Sequence, residues 1–194
     1  QAIETIFVFC AIWGLGSSLC VSDDGTDNRK LFSEWWRSTF TSVKFPSRET
    51  VFDYWLDPNT CSFESWTKSP FFYPVDFDSR ETAMTQITVP TPETCSVAFW
   101  MNNLVKMKKP VMLAGPAGTG KTQLVNGMLG TLSSDEYQSS TINFNFYTNS
   151  GVLANTMSAP LEKKTGSNYG PSGNAKLIYF IDDLNLPEVD KYNT

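Results

Sequence analysis

The chain has 194 residues, 41% of them hydrophobic, with 20 acidic and 15 basic side chains and a formal net charge of −5. That length supports one solid core, or one core and part of a second. There is no basic run, which argues against nucleic acid as a partner, and the chain has no histidine, which excludes Ser-His-Asp and Cys-His catalysis within it.

Residues 3–19 are apolar enough to resemble a signal segment. They lack a basic flank, are interrupted by Glu4, Gly14 and Gly16, and are too short to span a membrane. A buried helix over 5–19 ending in a glycine turn is the better reading. A polar turn follows at 23–28, then a second helix over 29–41 with Leu31, Phe32, Trp35, Trp36 and Phe40 at helical spacing. Residues 45–47 break it. A β-hairpin is predicted next, with strands at 51–56 and 62–66 joined by Asp57, Pro58, Asn59 and Thr60. Residues 69–78, rich in proline and aromatics, read as an irregular connector. Cys10, Cys20, Cys61 and Cys95 form no CxxC pair and read as scattered free thiols rather than a zinc site. Six Trp and fourteen Phe suggest broad packing against neighbours outside this chain, and the chain reads as a piece of a longer polypeptide.

The character changes near residue 87. Residues 87–90 look extended. Thr91, Pro92 and Glu93 offer a capping hydroxyl, a proline at the first helical position and an acid in the first turn of a helix running to about 107. This divides the chain into a mainly helical segment with a β-hairpin over 1–85 and an α/β domain with a parallel sheet over 86–194.

Residues 110–114 form a short apolar run that reads as a buried parallel strand. Gly115, Pro116, Ala117, Gly118, Thr119, Gly120, Lys121 and Thr122 follow, and they match the phosphate-loop pattern G-x-x-x-x-G-K-[ST] at every specified position. Glycines let backbone N–H groups turn inward and approach a phosphate closely. The helix beginning near Lys121, and periodic through 123–132, points its positive end at the same place. Lys121 would reach the β- and γ-phosphates of ATP, and the Thr122 hydroxyl would hold Mg²⁺. A glycine-rich turn that binds nothing would explain the glycines, but not the lysine, the hydroxyl and the flanking elements together.

Residues 141–147 alternate as a strand, 148–163 read as a helix, and 165–174 read as a hairpin or loop. Lys176, Leu177, Ile178, Tyr179, Phe180 and Ile181 then lead into Asp182 and Asp183. An apolar strand ending in two carboxylates is the Walker B arrangement. Asp182 would bind Mg²⁺. Asp183 takes the place where many ATPases carry a Glu that orients the attacking water. Asp is one methylene shorter, so slow hydrolysis is expected, and on reach alone Asp183→Glu would raise turnover.

Three blocks suggest a family: residues 109–113 leading into the phosphate loop; Pro160 to Gly166 with Asn168 to Pro171; and, most specifically, the run from Leu177 through Asn185-Leu186-Pro187-Glu188-Val189-Asp190 to Tyr192. Together with residues 7–14 and 51–54, the chain resembles a dynein heavy chain of the axonemal outer-arm type. It is similar to the end of the second AAA+ module and the start of the third, over nearly its whole length. Leu186 stands where Met would be expected.

The resemblance implies a P-loop AAA+ core inside a ciliary motor that moves toward microtubule minus ends, with the first module doing most of the hydrolysis and the third gating it. It implies ATP or ADP with Mg²⁺. Lys121 and Thr122 become phosphate and Mg²⁺ contacts, Asp182 the metal acid, and Lys121 and Asp183 the catalytic pair. Val89 and Pro90 fall where a strand lies against adenine. Implied partners are neighbouring AAA+ modules, microtubules, and the dynein intermediate and light chains, without nucleic acid or membrane. The implied location is the axoneme of a cilium or flagellum, within the cytoplasmic cytoskeleton. Sensors, lid and any arginine finger would lie beyond Thr194 or on another module. Two other readings stay open: a structural ring module with a permanently bound nucleotide, and an unrelated AAA+ remodelling ATPase.

Overall fold

A computed structural model describes residues 2–75 and 88–189. Outside them lie Ile87 of the expected extended segment, most of the expected boundary region, the end of the aromatic connector, and Asp190 and Tyr192 of the third block. The chain packs as two units, Gln1–Val111 and Met112–Thr194. It is an α/β protein with helices, a β-hairpin and a parallel strand pair.

The first unit contains α1 (Ala2–Gly16), α2 (Asn28–Thr39), β1 (Tyr54–Asp57), β2 (Ser62–Ser65), a 3-10 turn at Trp66–Lys68, and α3 (Pro92–Lys106). The side chain of Asp27 caps α2 by accepting from Lys30 N at 3.1 Å. Thr91 caps α3 in a reciprocal box, with Thr94 in the position where Glu or Gln is usual, and Pro92 opens the helix. β1 and β2 pair antiparallel from Tyr54↔Ser65 to Asp57↔Ser62. The Asp57 carboxylate holds their turn by accepting from Asn59 N and Thr60 Oγ1, both at 3.0 Å.

The core of this unit is aromatic. Trp66 has no exposed surface and donates its indole N–H to Phe52 O at 2.9 Å. Trp13 meets Trp66 edge-on at 6.1 Å, and Phe9 stacks on Trp100 at 5.4 Å. Phe99 of α3 meets Trp66 at 5.6 Å, so α3 belongs to this core. Such rings are large apolar surfaces that favour offset or edge contacts. Close packing explains Gly16: a Cβ there would lie 2.5 Å from Phe52 Cζ.

The second unit contains α4 (Lys121–Thr131), β3 (Tyr137–Asn143), α5 (Ser150–Ser158), β4 (Glu162–Lys163), β5 (Tyr169–Gly170) and β6 (Lys176–Asp182). β3 and β6 run parallel in seven-residue register, from Tyr137↔Lys176 to Asn143↔Asp182. The Tyr179 hydroxyl donates to Met157 O, tying α5 to β6. β4 and β5 form a small antiparallel pair, so the segment expected as a hairpin or loop over 165–174 supplies one strand, whose partner lies just before it at Glu162 and Lys163.

Several boundaries differ from the sequence expectation. The strand expected at 141–147 lies at 137–143 and ends before Phe144 and Phe146, because the ladder with β6 closes at Asp182. The helix expected over 148–163 stops at Ser158, and Glu162 and Lys163 pair with β5 instead. The run 110–114 is not a strand: Val111 and Met112 are exposed, and no ladder includes them among the described residues. An apolar run becomes a parallel strand only when an adjacent edge supplies its hydrogen bonds.

Candidate nucleotide site

The loop from Gly115 to Gly120 is exposed and turns on glycines. Gly118 and Gly120 take φ of 78° and 80°, left-handed values that cost a glycine little. Gly120 is the residue before α4, and no side chain caps that helix. The N-terminal turn of α4 is an anion-favouring position, with the positive end of the helix dipole behind it. Lys121 folds its ammonium over the loop, donating to Gly115 O at 2.9 Å and Pro116 O at 2.7 Å. The Thr119 hydroxyl also donates to Pro116 O, at 3.0 Å, and stiffens the same turn.

The acid arrives from β6. Parallel pairing with β3 carries the strand to Asp182, whose carbonyl accepts from Phe144 N at 3.1 Å. Thr122 Oγ1 donates to Asp182 Oδ2 at 2.9 Å, across sixty positions of sequence. The other carboxylate oxygen, Oδ1, accepts from Asp183 N at 3.0 Å. Asp183 follows at φ 54°, and its carbonyl accepts from Leu186 N at 3.0 Å.

The structure thus brings together Gly115, Pro116, Thr119, Lys121, Thr122, Asp182 and Asp183, with Ala117 and Gly118 completing the loop. Val89 and Pro90 lie in the lead-in to α3, in the first unit. Two contributions were not read from the sequence. One is the hydrogen bonding of Thr119. The other is Asn143, which ends β3 in register with Asp182; the sequence reading carried this strand on to 147 and so did not single it out.

Mg²⁺ fits the donors present. A hydroxyl and a carboxylate oxygen 2.9 Å apart are hard oxygen ligands. Magnesium is usually held by one or two such groups plus phosphate oxygens and water. No group of three or more His, Cys, Asp or Glu suited to a metal occurs among the described residues. An all-protein metal cage is therefore not what these residues build.

A phosphate loop opening a helix, beside an acid at the tip of a parallel strand, defines a P-loop nucleotide-binding ATPase fold. The family described as the P-loop containing dynein motor region matches residues 77–194, and the dynein heavy chain AAA lid domain matches residues 1–68. The chain is 48% identical to human dynein axonemal heavy chain 9, 43% identical to the flagellar outer arm dynein alpha chain of Chlamydomonas reinhardtii, and 44% identical to the ciliary dynein beta chain of Tripneustes gratilla. These alignments cover 98–100% of this chain and 4% of each relative. The chain belongs to the dynein heavy chain family, and it spans about 4% of the length of these relatives.

Proposed function

We propose that this segment is a regulatory ATP-binding module of an axonemal, outer-arm type dynein heavy chain. It comprises the end of the second AAA+ module over residues 1–85 and the start of the third over 86–194. The observation that supports the reading is the 2.9 Å bond between the Thr122 hydroxyl of the phosphate loop and the Asp182 carboxylate at the end of β6. Lys121 and the N-terminal turn of α4 take the phosphates of ATP or ADP. Thr122 and Asp182 hold Mg²⁺, which supplies charge neutralisation on the phosphate oxygens. Asp183 stands at the water-orienting position, one methylene short of the usual Glu, which favours slow hydrolysis. Val89 and Pro90 serve the adenine side.

In the whole motor, this site gates microtubule release driven by hydrolysis elsewhere in the ring, toward the microtubule minus end in the axoneme of a cilium or flagellum. Neighbouring AAA+ modules contact it directly; microtubules and the intermediate and light chains are partners of the complete assembly. The test is Lys121→Ala in the intact heavy chain. Motility should slow while ATP use at other sites persists. Unchanged motility overturns the gating role. ADP retained here through many turnovers would make the module a structural brace instead.

A further inference from the structure

Thr119 sits between two glycines that turn the phosphate loop, Gly118 and Gly120. A Cβ built at either glycine would meet no atom within 4 Å, so the loop is open there and hydrogen bonds are left to shape it. The Thr119 hydroxyl donates to Pro116 O at 3.0 Å, and the Lys121 ammonium donates to the same oxygen at 2.7 Å. The ammonium also donates to Gly115 O at 2.9 Å and, over a longer 3.4 Å, to Thr119 Oγ1. A hydroxyl donates one bond and accepts others, so Thr119 is donor to the carbonyl and acceptor from the ammonium at once. Hydroxyl, Pro116 carbonyl and ammonium thus close a small ring of hydrogen bonds. The branched Cβ of threonine restricts χ1 and presents that hydroxyl in few rotamers, whereas a lysine stem left to itself samples many.

We propose that Thr119 is a positioning residue for Lys121: its hydroxyl fixes the Pro116 carbonyl and receives the ammonium, so that the charge is held over the loop before any phosphate arrives. The inference rests on the nucleotide reading of this site and deepens it. The phosphate-loop pattern leaves position 119 unspecified, and these hydrogen bonds give it a role. A lysine already ordered in the empty loop has less rotamer freedom to lose when it meets the phosphates of a nucleotide. Thr119→Val keeps the branched shape and removes the hydroxyl. It therefore loosens the ammonium and weakens capture of the phosphates. Thr119→Ser keeps the hydroxyl and removes only the methyl.

The test reads the reactivity of Lys121 itself. The intact heavy chain, stripped of nucleotide, is pulsed with acetic anhydride, and acetylation of the Lys121 peptide is followed by mass spectrometry, first alone and then across an ADP titration. The peptide readout isolates this site from any other nucleotide site in the heavy chain. Lys176, whose ammonium lies 5.0 Å from the Tyr137 ring centroid at the start of β6, reports on the sheet of the same unit. Thr119→Val should raise the nucleotide-free rate at Lys121 by about threefold or more, and the ADP concentration that half-protects it by about fivefold, because acetylation needs a nitrogen released from its carbonyls. Thr119→Ser should stay within about 1.5-fold of the native chain on both, since its hydroxyl can make the same bonds. Lys176 should react alike in all three. A native-like Lys121 rate in Thr119→Val overturns the proposal. So does a rate in Thr119→Ser as high as in Thr119→Val, because the methyl would then be the requirement. A rise at Lys121 matched at Lys176 also overturns it, as loosening of the whole unit. If ADP protects Lys121 in none of the chains while Thr119→Val still raises its rate, the nucleotide reading falls and the positioning of the ammonium stands. If ADP protects all three alike and the rates do not differ, the nucleotide reading stands and this inference falls.

Discussion

Cys95 is the buried member of the four free thiols, while Cys10 and Cys20 are exposed. Burial pushes the Cys95 thiol above its ordinary value of 9.0, with hydrogen bonds involving Ser69 and Thr94 acting in the opposite direction. The folded chain therefore keeps this proton at a pH where the unfolded chain releases it. The associated stability is complete below the ordinary thiol value and drains as pH rises through it and above. Thermal midpoints measured from about pH 7 to about pH 10 should fall at the alkaline end. Cys95→Ala should flatten that fall while lowering the midpoint throughout. An equally steep decline in the variant would show that other groups cause it. At the site itself, Lys121, Thr122 and Asp182 were picked out by spacing alone, and the structure joins Thr122 to Asp182 by a hydrogen bond. The left-handed φ of Asp183 was not legible, since Asp occupies ordinary backbone far more often than left-handed backbone.

At the scale of elements, helix starts were legible because their signals are local. Thr91, Pro92 and Thr94 lie within one turn, and the hydroxyl of Thr91 accepts from Thr94 N at 3.2 Å. Thr91→Ala should destabilise the first unit by about 1 kcal/mol in chemical denaturation, and Thr91→Ser by much less. Equal losses in both would show that the threonine methyl matters more than the cap. Strand limits were harder to read. Hydrophobic alternation continues from Ile142 through Phe144 and Phe146, yet Phe146 is 54% exposed, because pairing with β6 stops at Asn143. Alternation sets which face a side chain occupies, whereas the length of a strand depends on its partner. The run 110–114 makes the same point, being apolar in sequence and without a ladder among the described residues.

At the scale of the whole molecule, packing and family limits divide the chain differently. The two family matches meet between residues 68 and 77, whereas α3 packs its Phe99 and Trp100 into the first unit. Removing a ring from the centre of that core tests how far the first unit depends on it. Trp66→Ala should cost about 3–5 kcal/mol, read as a lowered unfolding midpoint, since it removes a fully buried indole and orphans Phe52 O. A cost near that of a surface substitution would mean the aromatic cluster repacks around the gap. By itself, the sequence determined the phosphate-loop motif, the capped start of α3, the hairpin turn and the adjacent acids. Each is encoded by residues within a few positions of one another, where short-range hydrogen bonds and backbone preferences act. Only tertiary structure decided that Thr122 and Asp182 meet and that α3 joins the aromatic core. Those outcomes depend on strand register and side-chain packing between distant segments, which no local pattern specifies.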